Sequence, residues 1–252
     1  MIRNSIQYGK FTFGIVDDDT LLKEIFRLRF QVFVEEFGFE NETDHPGGLE
    51  TDEYENEAIH CVCLNEEKAV VGTIRLILDS DKGFPIERVV SDFSFFKKIP
   101  DRKKIAEISR LTIRKDHRKR KENKKYRLES YNKKSKVACD PVTERFLKNS
   151  GAKRNPIILG LYQIIYQESK RQGITEWYMI TEKRIYNELN TYGFHFHQIG
   201  EPVQYHGKRI PFFGIISEIE QYQIKNNPDM TKTMLKGLDR EYHPHFTNND
   251  QD

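Results

Sequence analysis

Two apolar runs with strand character, residues 58–64 and 69–78, are joined by only four polar residues, Asn65-Glu66-Glu67-Lys68. A connection this short lets the chain reverse and pair antiparallel, and it cannot hold the crossover that two parallel strands require. The hairpin therefore rules out an all-parallel sheet. Asp17, Asp18 and Asp19 offer capping oxygens ahead of Leu22, Ile25, Phe26, Phe30 and Phe33 at helical spacing, which predicts a first helix ending near Phe37-Gly38. Residues 40–57 are acidic, interrupted by Pro46-Gly47-Gly48, and read as a loop. A short helix or loop over 85–100 leads to a strong strand over 105–114. Pro156 opens a helix over 157–171 that Gly173 closes. A strand over 176–181, a helix over 182–189 and strands over 194–198 and 212–217 complete the series. The expectation is a mixed α/β fold with a mostly antiparallel central sheet flanked by helices.

A chain of 252 residues with 37% apolar and 12% aromatic side chains can build one large core, and its 32% charged residues imply solvated insertions. Residues 1–221 read as a single domain with a basic insertion at about 115–156, and residues 222–252 read as a polar C-terminal tail. From Arg114 to Arg154, 16 Lys and Arg face five Asp and Glu, an excess of 11 that leaves the rest of the chain at −9 for a total of +2. Such asymmetry suits either an anionic partner for that segment or a solvated loop.

Cys61, Cys63 and Cys139 are odd in number and fit a reducing compartment rather than a disulfide framework. No stretch of 18 apolar residues occurs and the N-terminal segment has no apolar h-region, so no transmembrane segment and a cytoplasmic location are expected. The spacing of Cys61-Val-Cys63 is wrong for a zinc knuckle, His195 and His197 alternate on a strand, and His243 and His245 lie in the tail, so no metal site is expected.

Four short motifs place ionisable groups in or beside apolar elements: Arg29-Phe-Gln-Val-Phe33, Glu50-Thr-Asp52-Glu-Tyr-Glu55, Gly72-Thr-Ile-Arg75-Leu76 and Glu107-Ile-Ser109-Arg110-Leu111. Arg29 sits on the apolar stripe of its helix, where a guanidinium must find carboxylates or phosphates. Arg75 shares a strand face with Thr73 and Ile77. Glu107, between Ile105 and Ile108, gains a raised pKa if buried and then suits the work of a general base. Glu107 and Arg110 are three apart, so on a regular strand they face opposite ways, and one site can use both only if a β-bulge intervenes. Taken singly, each motif also fits a structural role: a strand arginine can pack its stem, and Arg110 can pair with Glu50 or Asp52 to pin the loop.

In this order the motifs resemble the acyl-homoserine-lactone (autoinducer) synthases. Arg29 and Phe33, then Phe39 where that family usually has Trp, Glu50, Asp52, then Glu55 where it usually has Asp, and Arg75, Glu107 and Arg110 follow its pattern. The chain is more similar still to the N-acyl amino acid synthases and the acyltransferases associated with PEP-CTERM/exosortase systems, through His60, Ile158-Leu-Gly-Leu-Tyr162 and Val203-Gln-Tyr-His206-Gly-Lys-Arg-Ile-Pro211.

The resemblance implies a GNAT fold with a splayed central sheet, and transfer of a fatty acyl group from acyl-carrier protein to the amine of an amino acid or similar small molecule. It implies no tightly bound cofactor beyond the acyl-phosphopantetheine of the donor. On this reading Glu107, Arg110 and Arg29 are catalytic, while Phe33, Phe39, Glu50, Asp52, Glu55, Arg75, Tyr205 and His206 bind substrate. Arg29, Asp52, Arg75 and Arg110 would form a charged network that orders the loop and holds a carboxylate-bearing acceptor. The GNAT phosphate-binding signature is interrupted: Arg118-Lys-Arg120 begins it and Gly160 resumes it, and these three residues are the expected donor contacts. The basic insertion then becomes a docking surface for acyl-carrier protein. Alternatives are an acyl-CoA-dependent GNAT enzyme, an acyl-homoserine-lactone synthase, and a non-catalytic module whose basic segment binds nucleic acid. The last has only Tyr126 and Tyr131 as stacking platforms, so no nucleic-acid partner is expected.

Overall fold

A computed structural model describes residues 1–90, 101–118 and 155–244. In chain order it contains β1 (Ile2–Tyr8), β2 (Phe11–Val16), α1 (Asp19–Phe30), β3 (Ala58–Leu64), β4 (Val70–Leu78), β5 (Ile105–Ile113), α2 (Pro156–Arg171), β6 (Glu176–Thr181), α3 (Lys183–Thr191), β7 (His197–Gln198), β8 (Val203–Gln204), β9 (Lys208–Ile215), α4 (Ile216–Asn226) and α5 (Pro228–Leu235). The strands lie in the order β1-β2-β3-β4-β5-β6-β9-β7, with β8 paired to β9. Every described pairing is antiparallel except that of β5 with β6. The β3–β4 turn is held by Asn65, whose Oδ1 accepts from the N–H groups of Glu67 and Ala69.

Strand alternation assigns the two faces of the sheet. Val62 and Leu64 of β3 pack with Ile25, Leu28 and Val32 on the α1 side. Cys61 and Cys63 point the other way, into the core that α2 builds with Ile158, Leu161 and Ile165. Asp18 caps α1 by accepting from the N–H groups of Thr20 and Leu21. The helix runs on through a π-helical turn, Gln31–Glu36, and stops at Gly38, whose φ is +61°. Asn155 caps α2 and Pro156 begins it.

Gly160 has a packing role. A Cβ there would collide with the ring of Phe13, so α2 lies directly against β2 only because position 160 has no side chain. Gly160, expected as a donor contact, is buried in this helix–sheet contact and is not among the residues lining the cavity.

Three elements depart from the sequence expectations. β1 and β2 form a hairpin that apolar periodicity misses, because β1 is an edge strand, largely exposed, with a register irregularity between Arg3 and Ile6. The strand expected over 194–198 contracts to β7, with Phe194 and Phe196 used as core residues, and β9 begins before residue 212. Much of the expected polar tail belongs to the folded unit. α4 and α5 carry buried Gln223, Met230, Thr233 and Met234, while Gln163 and Gln167 of α2 donate to the carbonyl oxygens of Thr233 and Met234. Side-chain-to-backbone bonds of this kind leave no trace in hydropathy, which is why the segment reads as a tail. Residues 245–252 of it, with His245, lie outside the described residues. Among the described residues no helix is long and apolar enough to cross a membrane.

Candidate active site

Two local irregularities in β5 create the site. Thr73 pairs with Thr112 and Arg75 with Ser109, so one more residue is used on β5 than on β4 between these pairs. This is a β-bulge, and Arg110 within it has a φ of +51°, a conformation that side chains other than glycine adopt at some energetic cost. The bulge brings Arg110 onto the face that carries Glu107 and Arg75, as joint service in one site requires. The second irregularity is a splay. Pairing of β5 with β6 ends at Ile108 and Met179, although the strands continue to Ile113 and Thr181. Where they part, a cavity of about 200 Å³ opens, with Glu107 and Arg110 on one side and Ile158, Tyr162 and Met179 on the other.

Behind the cavity lies a closed ionic network. Arg29, fully buried, pairs through Nε with Glu50 and through Nη2 with Glu55 at 2.7 Å. Arg110 Nη2 lies 2.9 Å from Glu50 and 3.1 Å from Asp52. Arg75 takes Asp52 with both terminal nitrogens, at 2.7 and 2.8 Å, reaches Glu55 at 2.8 Å, and donates from Nε to Ser109 Oγ at 3.0 Å. His60 Nε2 completes the set, 3.2 Å from Glu55. Three guanidinium groups thus meet Glu50, Asp52 and Glu55, and Glu40 lies 3.6 Å from Arg110 at the edge of the set. Burial opposes the charge on Glu50, but Arg29 and Arg110 outweigh it and hold the carboxyl below its usual range. Asp52 is likewise held low, against burial, by Arg75 and Arg110. Glu55 is held far lower, against burial, by His60, Arg29 and Arg75.

Glu107 is treated in the opposite way. It is 2% exposed, it lines the cavity, and its Oε2 accepts one hydrogen bond, from the N–H of Ile86 at 2.9 Å. Among the described residues it forms no ion pair. Burial pushes its pKa up to about 8, with the Ile86 N–H, Arg75 and Arg110 pulling back only in part.

Aromatic and basic side chains form the mouth. Tyr205 and His206 sit in the turn between β8 and β9, where His206 and Gly207 have φ of +52° and +89°. The His206 ring lies 5.7 Å from that of Phe39, which stacks on Phe37 at 5.1 Å. Arg110 lies over Phe33 at 5.6 Å, and Arg209 over Phe39 at 5.5 Å. Arg209 Nη2 is 3.2 Å from Glu182, whose side chain is 43% exposed. Arg118 is paired to Glu36 and lies over Phe37.

Of the residues singled out from the sequence, Glu107, Arg110, Arg75, Phe33, Phe39, Tyr205, His206 and Arg118 line the cavity. Arg29, Glu50, Asp52 and Glu55 stand behind its wall, bonded to one another or to Arg75 and Arg110. Arg29, expected to be catalytic, and the three carboxylates, expected to touch substrate, pair with one another and with Arg75 and Arg110, as buried ions require. Arg120, Tyr126, Tyr131, Cys139 and most of the basic insertion lie outside the described residues. Sequence reasoning missed Arg209 and Glu182. Arg209 lies within the 203–211 motif but ahead of the strand expected over 212–217, so no strand face was assigned to it.

Residues 28–126 match the model of a family described as the acetyltransferase (GNAT) domain. No curated protein matches the sequence. Among solved structures, the acyl-homoserine-lactone synthase LasI superposes with a TM-score of 0.60 at 16% identity, over 87% of this chain and 96% of LasI. BjaI, a CoA-dependent acyl-homoserine lactone synthase solved with SAM and isopentyl-CoA, gives 0.55 at 20% identity, over 82% of each chain. FeeM, an N-acyl amino acid synthase from uncultured soil microbes, gives 0.52 at 13% identity, over 85% of this chain and 94% of FeeM. With its sheet opened between β5 and β6 and a bulge beside the opening, the chain has the GNAT fold.

Proposed function

We propose that this chain is an N-acyltransferase that moves a fatty acyl group from acyl-carrier protein to the amine of an amino acid or similar small molecule. The observation that carries the reading is Glu107, a buried carboxyl facing the cavity at the splay with a pKa near 8. Acyl transfer needs a neutral amine. Glu107 takes the ammonium proton, the nitrogen attacks the thioester carbonyl, the C–N bond forms, and the C–S bond breaks. The nitrogen gives up its second proton to the departing thiolate, and the first leaves Glu107 for solvent. The parted edges of β5 and β6 are where backbone N–H groups would meet the developing oxyanion. Ile158, Tyr162, Met179 and Ile185 supply apolar wall for the acyl chain.

A carrier-protein donor is supported by the start of α2. Helix N-termini hold phosphates through free N–H groups. Here Pro156 has none, and Asn155 Oδ1 already accepts from Ile157 at 3.0 Å. The single phosphodiester of a carrier-bound phosphopantetheine asks less of this helix end than the diphosphate of CoA. The basic insertion would dock the carrier's acidic surface, and the buried thiols Cys61 and Cys63 suit a reducing, cytoplasmic setting. The second reading, a CoA donor, is favoured by the shared fold of BjaI.

Incubation with palmitoyl-carrier protein or palmitoyl-CoA and a pool of amino acids, read by mass spectrometry, separates the two. Amide product from the carrier donor is the expected result. Its absence with both donors overturns the acyltransferase reading.

A further inference from the structure

Among the described residues five arginines line the cavity: Arg75, Arg110, Arg118, Arg184 and Arg209. Arg75 is paired to Asp52 and Glu55, Arg110 to Glu50, Asp52 and Glu40, and Arg118 to Glu36. The remaining two share one carboxylate. Glu182 lies 3.2 Å from Arg209 Nη2 and 3.9 Å from Arg184 Nε. Arg184 is 68% exposed and so water serves it, whereas Arg209 is 16% exposed and lies against Phe39. Burial lowers the pKa of Arg209 and Glu182 does not restore it, a sign that this cation lacks a full counter-charge. His206 feels the charges of both Arg110 and Arg209, so the two guanidinium groups flank the same stretch of the mouth.

We propose that Arg209 is the binding residue for a carboxylate on the acceptor, which displaces the half-exposed Glu182 from it. The assignment rests on the N-acyltransferase reading and narrows the acceptor to amines that also carry an acid group. It moves acceptor binding away from the Arg29–Arg75–Arg110 network, whose guanidinium groups already face Glu50, Asp52 and Glu55. Glu182 occupies the site in the absence of substrate, keeps the guanidinium from standing alone, and can swing into solvent when a better-placed carboxylate arrives.

The test uses leucine and phenylalanine beside their carboxamides, since the α-carboxylate is then the only anion that differs. Calorimetric binding to the full chain is measured for wild type, Arg209→Gln, Arg209→Lys and Glu182→Gln, and turnover with palmitoyl-carrier protein is measured alongside. The expected result is that wild type prefers the acids and Arg209→Gln loses that preference, with KM for the acid rising on the order of 10- to 100-fold. Values of kcat and of KM for the carboxamide should hold. Arg209→Lys should recover part of the preference, and Glu182→Gln should tighten binding of the acids. Equal binding of acid and amide by wild type, no binding of either, or an equal loss for both in Arg209→Gln, overturns the anchor. Acid-selective binding that depends on Arg209 without amide formation leaves the anchor standing and removes the acyltransfer reading instead.

Discussion

Glu107 and the Glu50–Asp52–Glu55 set occupy one face of one sheet, with Arg75 on the strand between them, yet the fold treats their carboxyl groups in opposite ways. The three loop carboxylates are buried beside arginines and remain charged well into acid. Glu107 is buried beside apolar side chains and a single N–H, and its charge is disfavoured up to about pH 8. Burial enters both cases with the same sign. The number of guanidinium nitrogens within bonding distance decides the outcome, because the interior strengthens a paired charge as much as it penalises an unpaired one. A paired carboxylate can hold a loop but cannot take a proton near neutral pH, and an unpaired one can take a proton but holds little. The site needs both kinds, side by side.

The largest expected effect comes from removing the proton acceptor. Glu107→Gln should lower turnover by about 10²- to 10⁴-fold, the usual contribution of a general base. In wild type, kcat/KM should rise with pH and level off above about 8, since the ionised carboxylate is the active form. Stability should respond the other way. The folded pKa of Glu107 lies above the value of about 4.3 for an unfolded chain, so ionisation favours unfolding across the window between them. Glu107→Gln should therefore be at least as stable as wild type at pH 8, as read by thermal unfolding. Wild-type rates in this variant would remove Glu107 from the chemistry.

Breaking the paired side of the comparison should cost stability first. Arg29→Met leaves Glu50 and Glu55 with one fewer partner in a fully buried setting, and losing one member of such a set typically costs about 3–5 kcal/mol. For a chain of this length that is a fall of roughly 10 °C in Tm, measurable by calorimetry. Acid should imitate the mutation more gradually. The folded pKa values of Glu50, Asp52 and Glu55 are depressed, so their contribution is complete above the unfolded values near about 4 and is lost as pH falls through the folded ones. Urea midpoints measured at pH 6, 4 and 3 should drop in wild type and drop less in Arg29→Met, which has already lost part of the network.

The unequal legibility of these features in the sequence has a physical basis. The helical period around Arg29 reports which way its side chain points, so its burial and its need for carboxylates could be read before any partner was known. The hairpin at Asn65–Lys68 and the Pro156 and Gly173 boundaries are local signals of the same kind. Which carboxylate meets which arginine depends instead on how residues 40–57 fold back. Gly47 and Gly48 turn there with φ of +82° and +69°, and the Glu50 N–H reaches the Phe26 carbonyl at 3.1 Å. No periodicity reports that. The bulge at Arg110 could be stated only as a condition, since a spacing of three on a strand demands an irregularity but does not say that one exists. Arg209 was illegible because its significance is a half-exposed counter-charge, Glu182, that it shares with Arg184, a property of the assembled cavity.

The smallest expected effect joins the two regions. Arg75 pairs with Asp52 and Glu55 and also pulls down the pKa of Glu107 across the strand pair. Arg75→Gln should remove that pull and free negative charge nearby, and both changes act in the same direction. The midpoint of the kcat/KM profile should move upward from its wild-type position by about one pH unit or less. Turnover at high pH, where Glu107 is ionised in either protein, should recover toward the wild-type level. An unchanged midpoint would mean that the ionic network and the proton acceptor are neighbours without influence on each other. A downward shift would mean that the arginines of the network and Asp52 act on Glu107 with the opposite sign to the one assigned from their charges. An upward shift with recovered activity would establish that the loop-holding network also sets the pH at which the base works.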